Sequence, residues 1–442
     1  MLYEAENGDF VLGAVGDAIL SRPISVFKEQ RFLDMIELLR STDCTFANLE
    51  ILFHEYEHPP AYLDGTHAQA DPEILEDLKW AGIDIVSLAN NHAYNFGYEG
   101  ILTTIKHLKK YRIPNSGAGA NLQDARMPCF LDTSRGRIGL VSVNSTFEPH
   151  WRAGEQRPDM QGRPGINCLG FETSYTVDQQ ALNELQRISH GIGWETQKEW
   201  YNTEHYYGRI YDDTNTRFHV FDKIFELGDT FRLNTSCNSK DLQDNLKWIR
   251  AAKKQADFVL VSLHSHEQGE SPELPAGFAR EFAYEAIDAG ANAVVGHGYH
   301  HLRGIEIYKN CPIFHSLGDF FFQEENFMRY PQESYDRMGL GMDAIAPDWM
   351  SARSANETRG FPADPSIWRT VIAIVNWKNW NIKEILLYPI DLGFGTSWGQ
   401  RGRPMLADKK TGGEILENLR ALSSVYGTDV EIKNNVGIIS FS

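Results

Sequence analysis

The chain has 442 residues, 42 basic against 60 acidic side chains for a formal net charge of −18, 42% hydrophobic and 12% aromatic content. That composition is globular and supplies enough apolar material for one large domain with insertions or for two. The carboxylate excess repels phosphate backbones and anionic membranes, so nucleic acid is excluded as an expected partner.

The opening segment MLYEAENGDFVLGAVGD has no basic region ahead of a long apolar one, so no signal peptide is expected, and no run of apolar residues is long enough to predict a membrane span. Cys44, Cys129, Cys168, Cys237 and Cys311 lack CxxC spacing. This points to a reducing compartment rather than a disulfide framework, and a cytoplasmic location is the expectation.

In chain order, DFVLGAVGD (9–17) predicts a strand, RFLDMIELLR (31–40) a helix and DCTFANLE (43–50) a second strand. DPEILEDLKWAG (71–82) opens on Asp-Pro and closes on Gly82, as a helix does. IDIVSLANN reads as the next strand, 98–111 as a helix and RIGLVSVNS (137–145) as a strand. This alternation argues for an α/β sheet covered on both faces. Between 146 and 245 the period lapses, with helical stretches expected near 177–188 and 218–227; the region is read as an insertion that shapes the substrate pocket. The alternation then resumes. DNLKWIRAAKKQ is a helix, ADFVLVSLHSH a strand, 275–289 a helix and ANAVVGHGYHH a strand, followed by short strands at 303–308 and 312–316. Residues 323–360 are expected to be an irregular active-site loop, because structureless stretches of that length are usually functional. An antiparallel pair over 370–393, a helix over 411–424 and a terminal strand complete the chain. Trp151, Tyr175, Trp200, Tyr206, Tyr207, Tyr330, Tyr335 and Trp349 are the aromatics of the two irregular regions, available either to a peptide-like ligand or to local packing.

Five apolar strands end in groups with chemistry. These are Asp17; Asn48 and Glu50; Asn90, Asn91 and His92; His264 and His266; and His297, His300 and His301. In an open α/β sheet ligands gather outside the carboxyl ends of the strands, so these residues are expected on one rim. Carboxylates, amides and imidazoles without thiolate suit Mn, Fe, Zn or a similar divalent ion. Arg303, two residues beyond the last histidine, is a candidate for bidentate capture of a substrate carboxylate or phosphate. The chain has no P-loop, no dinucleotide fingerprint and no G-x-S-x-G elbow.

The series GDAIL, ANLE, SLANNHAYNFGYEG, SGAGANLQDA, SLHSHE and DAGANAVVGHGYHHLRGIEIYKNCPIFHSLGDF resembles the bacterial capsule-synthesis CapA proteins of poly-γ-glutamate biosynthesis. The resemblance covers about 10–325 and continues more weakly through RPGIN (163–167) and GRPMLADKKTGGEIL (402–416). It implies one domain over 1–442 with a calcineurin-like metallophosphatase fold, a two-sheet β-sandwich flanked by helices. It further implies metal ligands at Asp17, Glu50, Asn91, His264, His297 and His300, with Asn48, His266, His301 and Arg303 towards substrate. His92, Asp17 and His300 would carry catalysis, and Asn90 is left to the turn. Where the phosphatases have Asp-x-His, this chain has Ile19, so one metal position lacks a histidine. The implied activity is a hydrolase using one or two divalent ions on a phosphoester, peptide or polyglutamate substrate. Two alternatives stand beside it: a metal-free peptide epimerase, with Asp17 facing a histidine across an α-carbon, and a non-catalytic accessory protein of polymer synthesis.

Overall fold

Along the strand Phe258–His264, Phe258 and Leu260 turn to one side and Val259, Val261 and Leu263 to the other, and both sides are buried. A strand apolar on both faces needs a cover on each. In the computed structural model, which describes residues 3–63, 65–204 and 210–441, that requirement is met by two sheets stacked face to face with helices outside them. Tyr206 and Tyr207 lie outside the described residues. No helix among the described residues is long and apolar enough to cross a membrane.

Among the described residues, the first sheet has ten strands. Phe10–Ile19 lies in its middle, parallel to Cys44–Asn48 on one side and antiparallel to Arg369–Lys378 on the other, and Asp319–Phe322 also pairs with it in parallel. The second sheet has six strands centred on Gly136–Asn144, Phe258–His264 and Ala293–His297, all parallel. Phe10, Leu12, Ala14 and Phe46 of the first meet Leu140, Leu260, Val295 and Phe314 of the second in one buried core. Outside the first sheet, Gln30–Arg40 buries Phe32, Met35, Ile36 and Leu39, the one-face spacing of an amphipathic helix. Ser239–Lys253 and Gly277–Asp288 cover the second sheet through Leu246, Ile249, Phe278 and Phe282.

Two expectations are corrected. Residues 218–227 form not a helix but a hairpin, Arg217–Val220 with Lys223–Leu227. Phe218, Val220, Ile224 and Phe225 favour strand, and Phe221 takes a positive φ of 55° in the two-residue turn. The hairpin joins Phe171–Val177 and Arg232–Cys237 in a separate four-stranded sheet, which packs on the sandwich through Phe171 stacked on Phe278 at 4.2 Å. The segment 323–360 is also not structureless: it holds a 3₁₀ turn at Glu324–Asn326 and helices Gln332–Arg337 and Ala346–Arg353. Those helices are too short to show a period; they are held by the ring of Tyr330 stacked on Trp349 at 4.2 Å. Tyr175 likewise stacks on Phe225 at 5.4 Å, and Trp151 on Tyr94 at 6.1 Å.

Away from the rim, Glu306 (side chain 11% exposed) takes hydrogen bonds from His315 Nε2, Arg280 and Tyr284. Burial alone would raise its carboxyl; those donors outweigh it and hold the group at about 2, down from 4.5. A depressed carboxyl stabilises the fold above its ordinary value and loses that contribution as pH falls through the folded one. Glu306→Gln is therefore expected to cost about 2–3 kcal/mol at neutral pH. The gap from the parent protein should narrow between pH 4.5 and about 2, as read by urea denaturation across pH.

Candidate metal centre

The centre begins with close contacts that only glycine permits. A Cβ at Gly16 would lie 1.8 Å from the Gly318 carbonyl oxygen, so the two Gly-Asp dipeptides pack side by side with Asp17 in register with Asp319. The Asp17 N–H donates to Gly318 O at 2.9 Å, and the register slips between Ala14 and Asp17 where the strand turns its carboxylate to the rim. Asn48 Nδ2 donates to Asp17 Oδ1 at 2.7 Å. Asn90 Nδ2 in turn donates to Asn48 Oδ1 at 3.3 Å and Leu49 O at 2.9 Å.

The second sheet brings His264 and His297 to the same end, in register with each other. Asn48 Nδ2 approaches His264 Nδ1 at 3.3 Å, and the Gly298 N–H donates to Asp17 Oδ2 at 2.8 Å, so the two sheets are tied together at the rim. Gly298 has φ +96°, and a Cβ there would sit 2.7 Å from the His264 ring. His300 holds a positive φ of 62°, uncommon for a residue with a side chain. That backbone aims its Nδ1 at Asp319 Oδ1, 2.8 Å away.

Three overlapping sets each bring one donor atom per residue within 4.8 Å: Asp17, His264 and His297; Glu50, His264 and His266; Asp17, Glu50 and His300. His264 joins the first two, with Nδ1 3.0 Å from His297 Nδ1 and Nε2 3.0 Å from His266 Nε2. Glu50 is fully buried, and neither carboxylate oxygen has a hydrogen-bond partner. Its nearest cationic candidates are His264 Nε2 at 3.7 Å and His92 Nε2 at 3.9 Å. Burial, and after it the charges of Asp17 and Asp319, push the Glu50 carboxyl well above its ordinary range. Burial pushes His264 and His266 well below theirs and brings His297 and His92 to about 4, leaving neutral imidazoles that can donate lone pairs. An unpaired buried carboxylate is costly, and a cation among these donors removes that cost. The residues present therefore fit a divalent ion.

Against known proteins, the family of bacterial capsule synthesis protein PGA_cap matches residues 7–324, more than two thirds of the chain. The chain belongs to this capsule-synthesis family. It is 34% identical over 448 residues to the uncharacterized protein y4sH of Sinorhizobium fredii, covering 97% of this chain and 93% of that one. It is 26% identical over 325 residues to the PGA biosynthesis protein CapA of Bacillus subtilis, covering 72% of this chain and 64% of that one. With the capsule biosynthesis protein CapA of Bacillus anthracis it shares 23% over 328 residues, covering 72% and 61%.

All the rim residues fall within the span that matches the capsule-synthesis family, and most of them converge. His92 Nδ1 lies 2.8 Å from Asn95 Oδ1, an oxygen that also accepts the Ala68 N–H at 2.7 Å. An acceptor fixed in this way puts the His92 proton on Nδ1 and turns the bare Nε2 towards Glu50. Asn91 Oδ1 is buried without a partner, free to ligate. Asn90, expected only in the turn, is fully buried, and its Oδ1 is also unpartnered.

Two expected members face elsewhere. His301 Nε2 pairs with Asp364 Oδ2 at 3.0 Å and lines a different cavity. The Arg303 guanidinium stacks on Tyr299 at 3.6 Å and donates to the backbone carbonyls of Pro272 and Glu267. It fixes the loop after His266 and has no face for a substrate anion. Conversely, the sequence reading passed over Asp319, whose signal was a second Gly-Asp dipeptide in SLGDF. It also passed over Glu324 and Arg353, which line the same cavity of about 200 Å³ as Asn91, His92, His266 and His300.

Proposed function

We propose that this protein is a metal-dependent hydrolase on a calcineurin-like sandwich, acting on an amide or phosphoester in the chemistry of capsule or polyglutamate polymers. The buried Glu50 carries the reading: burial pushes its carboxyl well above the ordinary range, and it sits in a ring of neutral imidazoles where a cation would take the place of its proton. Asp17, Glu50, His264, His266 and His297 would hold the metal, with Asn91 completing the oxygen donors. When bound, a divalent ion there supplies Lewis acidity towards a phosphoryl or acyl oxygen and lowers the pKa of water.

The remaining steps belong to the chain. His92, neutral with Nε2 bare, accepts the proton of an attacking water. Burial disfavours a charged His300, but the Asp319 carboxylate beside it wins and holds the imidazolium up to about 9. His300 therefore carries a proton at neutral pH and gives it from Nε2 to the leaving group. Asp319 orients that ring as the carboxylate of an acid–base pair does. Asn48 and Asn90 keep Asp17 and its neighbours in place.

The expected result with γ-glutamyl-p-nitroanilide and bis-p-nitrophenyl phosphate is turnover of at least one, abolished by chelator and by Asp17→Ala. His300→Gln should lower that rate by about 10²–10⁴. Turnover indifferent to chelator and to Asp17→Ala would contradict the reading. The approach of His300 to Asp17 within the third set favours a second reading, α-proton exchange on a peptide. Deuterium uptake at a peptide α-carbon in heavy water, without hydrolysis, would select it.

A further inference from the structure

Beside the metal cavity lies a second chamber of about 180 Å³, walled mainly by Phe322, Met350, Pro362 and Trp368, with Glu325, Ser354 and Arg359 also in its lining. Glu324, Arg353 and Phe361 line both spaces and form the wall between them. The wall's polar part is an ion pair. Arg353 Nη1 holds Glu324 Oε1, and Glu324 is only 3% exposed. Arg353 is 31% exposed, and its Nε and Nη2 have no partner among the described residues. The rings of Trp349 and Phe361 flank the guanidinium, each 5.4 Å from it. A guanidinium presents a planar fork of donors matched to a carboxylate; here one edge of it, Nε and Nη2, carries no partner among the described residues, on a residue that lines the cavity of the rim.

We infer that Arg353 anchors a carboxylate of the substrate, and that the chamber behind it receives an apolar substituent next to that carboxylate. This rests on the rim being the reacting centre, since the same cavity holds His92 and His300. The substrate class is then an acyl or peptidyl acid with an apolar group beside its carboxylate. Glu324 is the internal competitor: it occupies one edge of the fork in the free protein and is displaced, or shares the guanidinium, when the substrate enters. The chamber explains why the segment 323–360 is folded: the helix Ala346–Arg353 supplies both Met350 at the chamber and Arg353 at its mouth.

The test is equilibrium binding to the full-length, Mn²⁺-loaded protein by calorimetry, with 3-phenylpropionate, 3-phenylpropanamide, acetate and phenyl phosphate as probes. The propionate is expected to bind at least tenfold more tightly than the amide, which lacks the charge, and than acetate, which lacks the ring. Arg353→Gln should weaken the propionate at least tenfold and leave the amide unchanged. Glu324→Gln frees the fork and should tighten the propionate several-fold, a gain that misfolding cannot produce. Equal binding of propionate and amide, or full propionate affinity in Arg353→Gln, overturns the inference. Arg353-dependent preference for phenyl phosphate overturns the carboxylate assignment. The readout is binding without turnover, so loss of the hydrolase reading alone leaves this probe pattern intact, and loss of the pattern leaves chelator-sensitive turnover intact.

Discussion

Glu50→Gln is expected to remove the metal-dependent part of the protein's thermal stability while making the metal-free protein more stable. In the metal-free state burial pushes the Glu50 carboxyl well above its ordinary range, so folding at neutral pH must hold it protonated, and a neutral isostere relieves about 1–3 kcal/mol of that cost. Added metal should reverse the ranking. An ion at a hundred times its Kd contributes about 2.7 kcal/mol to the parent protein, a rise of roughly 3 °C in Tm for a chain of 442 residues. The variant, short of a charged ligand, should rise by less than about 1 °C. Thermal unfolding with and without Mn²⁺ or Zn²⁺ measures both effects. Equal metal-induced shifts in the two proteins would remove Glu50 from the ligand set.

Gly16→Ala is expected to be severely damaging. The new Cβ would fall 1.8 Å from Gly318 O and 2.8 Å from Gly318 C, atoms of a neighbouring strand's backbone that cannot rotate aside. The strands must part, and with them the register that sets Asp17 beside Asp319. The loss should exceed about 4 kcal/mol, the range of severe core overpacking, and metal binding should go with it. Gly413 is the control. It lies in the helix Lys409–Ser424 with nothing within 4 Å of the added carbon, so Gly413→Ala should stabilise by about 0.5–1 kcal/mol. Urea midpoints compare the two; a mild Gly16→Ala would mean that the close approach of the strands is not required.

The rim was legible because its residues sit where apolar runs stop: a buried strand that ends in Asp, Asn or His leaves few places for those groups to go. What stayed hidden sits outside that grammar. Asp319 lies at the start of a strand, not its end, and becomes part of the centre only through its register with Asp17. Arg353 lies in an eight-residue helix with no periodic signal, and reaches the cavity by tertiary packing of Trp349 and Tyr330. Arg303 shows the opposite case. Its place after the histidines was right for a substrate contact, but nearby backbone carbonyls and Tyr299 engage the whole guanidinium. The hairpin at 217–227 is hard to read from the sequence because a short alternation of aromatics fits either period, and only the turn at Phe221 decides it.

Metal content and metal position, measured together, decide whether the rim is a metal centre. The full-length protein is exposed to Mn²⁺, dialysed, assayed by inductively coupled plasma mass spectrometry and crystallised for anomalous scattering. One or two ions per chain are expected, with an anomalous peak among Asp17, Glu50, His264 and His297, and near-complete loss of that metal in Asp17→Ala. A metal-free protein at millimolar Mn²⁺, or an ion seated elsewhere and unaffected by Asp17→Ala, would contradict a metal centre at the rim.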